Sequence, residues 1–292
     1  MRINQLYTII GLLCVILSIQ ACKEKSGNKQ TVSVSILPQK YLVEKIAGDY
    51  LQVNVMIPPG MSPETCDLST EQLKKLYDSD ICFTIGHLPF ELTHLAPVIK
   101  QRKDIRIINH SEGIKLLSGS CDHQHHNGHE HSGVDPHIWS SPRYVAQMAQ
   151  QIFKALSEQY PTQKEKFEEG YKTLSKEIET VKEKADSALN EKRGSMFLIY
   201  HPALTYLADD YGLQQVAIEN EGKEPNPAHL KHIIDLAKEK NIRIIFIQSQ
   251  FDKNNALSVA KEIGGEVIPI DPLAENWTEE INKLIKVLQE KL

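Results

Sequence analysis

The sequence predicts an α/β fold in which two lobes of parallel sheet, flanked by helices, are joined by one long rigid linking helix. Apolar strand patterns alternate with helix-length patterns in both halves of the chain, and a charged segment with helical periodicity separates the halves. The 292 residues are enough for two lobes that each bury a core. We predict lobes over 31–141 and 195–292 and a helical linker over 142–194.

In the first half, short β-rich runs predict four strands, at 31–37, 52–57, 81–85 and 105–108. Helix-length patterns follow the first three strands, at 38–47, 70–77 and 90–100. Pro38 suits the start of the first helix, and Ser69 or Thr70 suits the cap of the second. Strands separated in this way indicate βαβ units and a parallel sheet.

The linker is predicted as a helix from about Arg143 to Gln159 followed by a long helix from Pro161 to Lys192. The apolar residues of the second helix recur every three or four positions, at Phe167, Tyr171, Leu174, Ile178, Val181, Ala185 and Ala188. Such a stripe indicates a helix packed along a globular body. A coiled coil is the alternative, but the stripe is short for one.

The second half repeats the alternation of the first. Strands are predicted at 196–200, 213–218, 243–247 and 267–270. Helices are predicted at about 202–211, at 227–240, at 255–263 and from Trp277 onward. Ligands of such folds bind outside the carboxyl ends of the strands, so we expect the site in the cleft between the lobes.

The N-terminus resembles a bacterial lipoprotein signal. Arg2 precedes an apolar run from Leu6 to Ile19 that is short for a membrane-spanning helix, and Cys22 directly follows a small residue. We predict a signal peptide over 1–21, lipidation of Cys22 and a flexible tether over 22–30. The alternative is an ordinary signal peptide in which Cys22 has no role. Either signal places the protein in the periplasm or at the cell surface.

A histidine-rich segment, Cys121 to Ser132, predicts metal binding. Imidazole is a good ligand for zinc-like ions, and glycines make the segment flexible. The candidate weak ligands are His123, His125, His126, His129 and His131. A tag-like artefact is disfavoured because the segment is internal and interrupted by other residues. A solvated loop without a specific role remains the alternative.

Composition excludes some classes of function. The formal net charge is −5, and basic residues are interleaved with acidic ones, so nucleic-acid binding is not expected. Three cysteines remain in the predicted folded part, which is not a disulfide framework. Cys82 lies in an apolar run and suits the core. Cys66 and Cys121 neighbour candidate metal segments and could pair or ligate, which their spacing does not decide.

Four segments present a candidate ligand after a predicted strand, and their ligands are Glu64, His137, His201 and Asp271. The segments read PPGMSPE, DPHIW, YHPA and IDPL. Ligands from several strand ends can converge on one ion. Each segment alone is a weak indication, since a lone histidine after a strand is more often a cap or a core residue.

Together these segments resemble the cluster A-I solute-binding proteins of ABC transporters, which bind zinc or manganese. The similarity covers nearly the whole chain after the signal: PPGMSP is similar to the loop before the family's first ligand, GVDPHIWSSPR to its DPHxW motif, and HPALTYLADDYGL to its third-ligand segment. EPNPAHLKHII and IPIDPL correspond to its later helix entry and fourth ligand. The histidine-rich insertion is similar to that of the zinc branch.

The resemblance implies a ligand set of Glu64, His137, His201 and Asp271, with Glu64 where the family usually has histidine. Two nitrogens and two carboxylates form a harder donor set than three imidazoles, which favours manganese or iron. His201 and the histidine-rich loop favour zinc, which also binds two histidines and a carboxylate tightly. We therefore expect Zn²⁺, with Mn²⁺ or iron as the alternative.

The implied function is extracytoplasmic capture of zinc and its delivery to an ABC transporter permease by a lipid-anchored monomer. A surface metal buffer or adhesin without a transport role is the main alternative, and an adjacent permease gene would favour transport. An enzyme is disfavoured, because a catalytic zinc site needs an open position and a general base, and no HExxH motif occurs.

Overall fold

The structure is a computed structural model that describes residues 30–119, 133–219 and 223–292. The predictions for the signal peptide, Cys22, the tether over residues 22–29 and the five loop histidines therefore lie outside the described residues. Within the described ranges, no helix combines the length and apolar character needed to cross a bilayer.

The first lobe contains a four-stranded sheet of β1 (Gln30–Val34), β2 (Leu51–Val55), β3 (Ile81–Thr84) and β4 (Arg106–Asn109), in the order β2-β1-β3-β4. β3 pairs in parallel with both β1 and β4. All four residues of β3 are buried, as expected for a central parallel strand covered on both faces. The chain order changes direction between β1 and β3, which is where ligands of open α/β sheets bind.

Three helices accompany this sheet: α1 (Leu37–Ala47), α2 (Thr70–Tyr77) and α3 (Ala96–Gln101). A 3-10 turn, Gly48–Tyr50, follows α1. The helix predicted over 90–100 is found as one continuous helical segment over residues 89–101, which contains a π-helical turn, Glu91–Leu95, before α3. Pro97 explains the π-helical turn, since it has no N–H to donate to the preceding turn and its ring crowds that turn.

The linker consists of α4 (Pro142–Gln159) and the 26-residue α5 (Lys164–Leu189). Short 3-10 turns, Pro161–Gln163 and Asn190–Lys192, flank α5. The predicted apolar stripe faces the body of the protein: its members are buried, except for the partly buried Tyr171. At Gly170 a side chain would not fit, because a Cβ atom there would lie 2.5 Å from the carbonyl oxygen of Ile46.

The second lobe repeats the first, with β5 (Met196–Ile199), β6 (Gln214–Ala217), β7 (Ile244–Gln248) and β8 (Glu266–Ile270) in the order β6-β5-β7-β8. Its paired strands are parallel. The helices are α6 (Thr205–Tyr211), α7 (Pro227–Glu239), α8 (Lys253–Ile263) and α9 (Trp277–Lys291). The two-lobed α/β prediction is confirmed.

Candidate metal centre

Three of the four predicted ligands meet in the structure. Glu64 lies in the loop after β2, His137 immediately precedes a 3-10 turn, Ile138–Ser140, and His201 follows β5. One ligand atom from each lies within 4.8 Å of the other two, and this is a group of potential metal ligands among the described residues. His201 Nε2 is 3.2 Å from His137 Nε2 and 3.2 Å from Glu64 Oε1.

These separations suit a small metal ion. Zinc bonds to histidine nitrogen and carboxylate oxygen measure about 2.0–2.2 Å, so ligand atoms at adjacent corners of a tetrahedron are about 3.3–3.5 Å apart. The 3.2 Å separations are close to that value. The three side chains can therefore hold one ion with little rearrangement, and two histidines with one carboxylate are a common donor set for zinc.

The ring of His137 is oriented by Asp135. Its Nδ1 lies 2.9 Å from Asp135 Oδ1, which also accepts the backbone N–H of His137 at 2.8 Å. Burial alone would raise the pKa of Asp135, but the charge and hydrogen bonds of His137, with a bond from Thr205, lower it. An ionised Asp135 holds the proton of the neutral ring on Nδ1, which leaves the Nε2 lone pair for a metal.

His201 is held from three sides. Glu219 Oε1 lies 2.9 Å from Nδ1, the side chain of Gln248 donates to the backbone carbonyl of His201 at 2.8 Å, and the Phe251 ring stacks on the imidazole. Burial alone would lower the pKa of His201, but its hydrogen bonds to Glu219 and Glu64 and their charges raise it to about 10. The two carboxylates therefore favour the protonated form of His201 when no metal is bound.

Glu64 completes the trio from a partly exposed position, with 30% of its side-chain surface accessible. Burial alone would raise the pKa of Glu64, but its hydrogen bond to His201 and the charges of His201 and His137 lower it. The carboxylate is therefore ionised at neutral pH. It offers a negatively charged oxygen to a bound cation.

Asp271 is not in this trio. Its Oδ1 accepts the backbone N–H of Leu273 at 3.1 Å, and its own N–H donates to Glu280 at 2.8 Å. Its neighbours Pro272 and Leu273 line the cavity at the trio. Its assignment as the fourth ligand stays a prediction.

The remaining candidates lie apart from the trio. Cys66 is buried, and its thiol contacts the backbone carbonyl of Asp67 at 3.4 Å. Cys82 is fully buried in β3, as predicted for a small core residue. His229 and His232 lie on α7, the helix predicted to carry them.

The carboxylates that orient the two histidines were not assigned a role from the sequence. Asp135 was noticed only as part of the DPHIW segment. Glu219 follows β6 by two residues, so the strand-end rule that selected His201 could also have selected it. What the sequence did not show is which histidine each carboxylate faces.

The trio opens on a small cavity of about 30 Å³. The cavity is lined by the two histidines and by mainly apolar neighbours that include Pro63, Trp139 and Phe251. The space suits one ion and one or two water molecules. A hydrophobic wall around a metal site limits access of water and strengthens the electrostatic attraction between ligands and ion.

Comparison with known proteins identifies the family of the chain. A family model described as the periplasmic component A of the zinc-uptake complex, ZnuA, matches residues 32–292. The chain belongs to this family. The ZnuA family thus accounts for nearly the whole length that follows the predicted tether, including all three residues of the trio.

The individual relatives share about a quarter of their residues with this chain. Zinc-binding lipoprotein AdcA of Streptococcus pneumoniae R6 is 26% identical over 283 residues, which cover 94% of this chain and 56% of AdcA. This chain thus spans little more than half of that relative. The high-affinity zinc uptake system protein ZnuA of Bacillus subtilis 168 is 26% identical over 273 residues, 91% of this chain and 85% of that protein.

A solved structure supports the family fold directly. A crystal structure of ZnuA has a TM-score of 0.81 and 32% identity, covering 90% of this chain and 99% of that one. The two-lobed architecture and the order of its elements are therefore those of a ZnuA-type solute-binding protein.

Proposed function

We propose that this protein captures Zn²⁺ outside the cytoplasm and delivers it to the permease of an ABC transporter. The observation that carries the proposal is the trio of Glu64, His137 and His201, in which each histidine Nδ1 faces a carboxylate and each Nε2 points at a shared position. Family membership supports the transport role. Asp271 or water supplies the fourth ligand.

Zinc is the proposed cargo. Two imidazoles and a carboxylate form a donor set that zinc binds tightly, and zinc exceeds manganese in intrinsic affinity on comparable ligands. The zinc-named relatives AdcA and ZnuA point the same way. Competition of metal-free protein against a chromophoric chelator tests this: we expect tight binding of one Zn²⁺, with Mn²⁺ weaker. Tighter binding of Mn²⁺ would contradict it.

Delivery is tested by transport. In a bacterium that lacks its own zinc-binding protein, supplying this protein with its cognate permease should restore ⁶⁵Zn uptake at low zinc. His201→Ala is the matched control, since it removes a ligand while the fold remains. Uptake that is equal with both proteins would contradict delivery through this site.

Anchoring is proposed through lipidation of Cys22, with residues 23–30 as the tether of a monomeric protein. Acyl chains hold a protein at a membrane independently of its folded body. The wild type should therefore partition into the detergent phase, and Cys22→Ser should move to the aqueous phase with unchanged zinc affinity. Equal aqueous partitioning of both would remove the anchor. The histidine-rich loop is proposed to collect zinc with low affinity.

A further inference from the structure

The two metal-binding histidines differ in how their orienting carboxylates are supported. Glu219, which orients His201, belongs to the same lobe as His201 and lies near the end of β6. Asp135, which orients His137, is hydrogen-bonded to the second lobe through α6. The position of His137 therefore depends on how the lobes meet, whereas that of His201 does not.

The contact is made by two neighbouring residues of α6. The hydroxyl of Thr205 donates to Asp135 Oδ2 at 2.6 Å, and the hydroxyl of Tyr206 donates to the backbone carbonyl of Asp135 at 2.7 Å. Asp135 is only 3% exposed, so water does not compete for these bonds. Thr205 also lies four residues after His201, so α6 links the two halves of the metal site.

The direction of the hydrogen bonds is fixed along this chain of groups. The backbone N–H of Leu204 donates to Gln215 Oε1 at 2.9 Å, which turns the Gln215 amide nitrogen toward Thr205, 2.6 Å away. Because the Thr205 oxygen accepts that bond, its single proton is left to donate, and Asp135 Oδ2 at 2.6 Å is a closer acceptor than the Pro202 carbonyl at 3.3 Å. Asp135 Oδ1 then accepts from His137 Nδ1, and His137 Nε2 is left as the metal ligand.

We propose that Thr205 is a positioning residue, and that the binding of zinc by His137 therefore depends on contact between the lobes. When the lobes are in contact, Thr205 fixes Asp135 and so fixes the tautomer and direction of the His137 ring. When a docked partner shifts the lobes, the Thr205 bond is lost. His137 then loses its fixed orientation before His201 does, because His201 remains hydrogen-bonded to Glu219. This inference rests on the proposed zinc-binding function.

The test compares three variants of the full mature protein. Thr205→Val keeps the shape of the side chain and removes the hydroxyl, and Thr205→Ser restores the hydroxyl. Thr278→Val is the matched control, because the Thr278 hydroxyl also joins distant parts of the chain, accepting a bond from Tyr41 at 3.0 Å, but contacts no metal-binding residue. Zinc affinity is measured by chelator competition, ligand geometry by the visible spectrum of the Co²⁺ form, and stability by thermal unfolding of metal-free protein.

We expect Thr205→Val to weaken zinc binding by about 10–100-fold, the usual effect of losing a group that orients a ligand, and to change the Co²⁺ spectrum. Thr205→Ser should restore both, and Thr278→Val should change neither. Wild-type affinity and spectrum in Thr205→Val would overturn the inference, as would a Thr205→Ser variant as weak as Thr205→Val.

Failure of the proposed function would give a different result, because the wild type itself would then not bind zinc tightly. Should Thr205→Val not fold, Thr205→Ala replaces it, since this smaller side chain also removes the hydroxyl that binds Asp135. Weaker zinc binding with an altered Co²⁺ spectrum then supports the inference, and unchanged binding overturns it.

Discussion

The indole N–H of Trp277 donates a hydrogen bond to the backbone carbonyl of Trp139 at 2.8 Å. Trp139 in turn donates its own indole N–H to the carbonyl of Pro272 at 2.9 Å. Both side chains are buried, and Trp139 lies two residues after His137. The turn that follows His137 is thus joined to the second lobe by two hydrogen bonds in addition to those of Asp135. Such a site is organised before the metal arrives, which reduces the entropy lost on binding.

His137→Ala and His201→Ala should each weaken zinc binding by at least about 100-fold, because loss of a ligand costs more than loss of its orienting partner. Isothermal titration or chelator competition measures the change. His229→Ala and His232→Ala are the controls, since both residues lie on α7. The assignment is wrong if either control loses as much affinity as His201→Ala.

Two substitutions test the role of Glu64 in the ligand set. Glu64→Gln should weaken binding of both zinc and manganese, because a neutral amide replaces an ionised carboxylate. Glu64→His should keep the fold and raise the preference for zinc over manganese, because it adds a softer nitrogen ligand. Competition titrations with the two metals measure this. Unchanged zinc affinity in Glu64→Gln would show that Glu64 does not ligate.

Zinc affinity should rise with pH. Only neutral imidazole binds zinc, and the metal-free protein holds His201 with a pKa of about 10. Below that pH zinc must displace one proton, so affinity should rise by up to about tenfold per pH unit through the neutral range. Glu64 adds no pH dependence in the neutral range, because its lowered pKa keeps its carboxylate ionised.

Calorimetry in buffers of different ionisation enthalpy counts the released proton. Glu219→Gln should release fewer protons per zinc ion bound, because this variant lacks the carboxylate that stabilises the protonated ring of His201. Equal zinc affinity at pH 6 and pH 8 in the wild type would argue against a protonated His201.

Deleting the histidine-rich segment Cys121 to Ser132 should remove weak zinc sites and keep the tight one. The residues that flank the segment lie close together, since the N–H of Gly119 donates to the carbonyl of Gly133 at 2.9 Å and Ser118 bridges to Val134. A short glycine linker can therefore join them. Zinc titration counts both classes of site. Loss of tight binding would move the principal site into the loop.

Gly170→Ala should destabilise the protein by about 1–3 kcal/mol, the usual cost of overpacking. The added methyl group would meet the carbonyl oxygen of Ile46 at 2.5 Å, and backbone atoms at a helix contact yield little. Urea unfolding of the metal-free protein measures the change. Ser175→Ala, at an exposed position of the same helix, should alter stability by less than about 0.5 kcal/mol. Equal effects of the two substitutions would contradict the close contact.

Sequence patterns predicted the features that depend on residues close together in the chain. The period of the stripe from Phe167 to Ala188 gave the buried face of α5, and the strand-end rule selected His137 and His201, which the structure brings together. The pairing of each histidine with its carboxylate was not predicted. For His201 it depends on a contact with Glu219, 18 positions away in the chain, whereas Asp135 lies only two positions before His137 and its direction is set by the fold.

The contact of Thr205 with Asp135 joins residues 70 positions apart, and nothing in the local sequence marks it. The π-helical turn before α3 is a different case, because Pro97 was visible in the sequence. A proline inside a helical pattern is compatible with a kink or with a π-helical turn, and packing of the preceding turn selects between them.

The apolar wall of the cavity at the trio, which includes Pro63, Trp139 and Phe251, bears on the choice of ion. These side chains offer no hydrogen bonds to the water molecules of a hydrated ion, so an ion that binds to the trio must exchange water for protein ligands. Mg²⁺ gives up water reluctantly and demands octahedral oxygen coordination, whereas zinc accepts tetrahedral coordination by nitrogen and oxygen. We therefore expect the cost of dehydration to disfavour Mg²⁺ at this site.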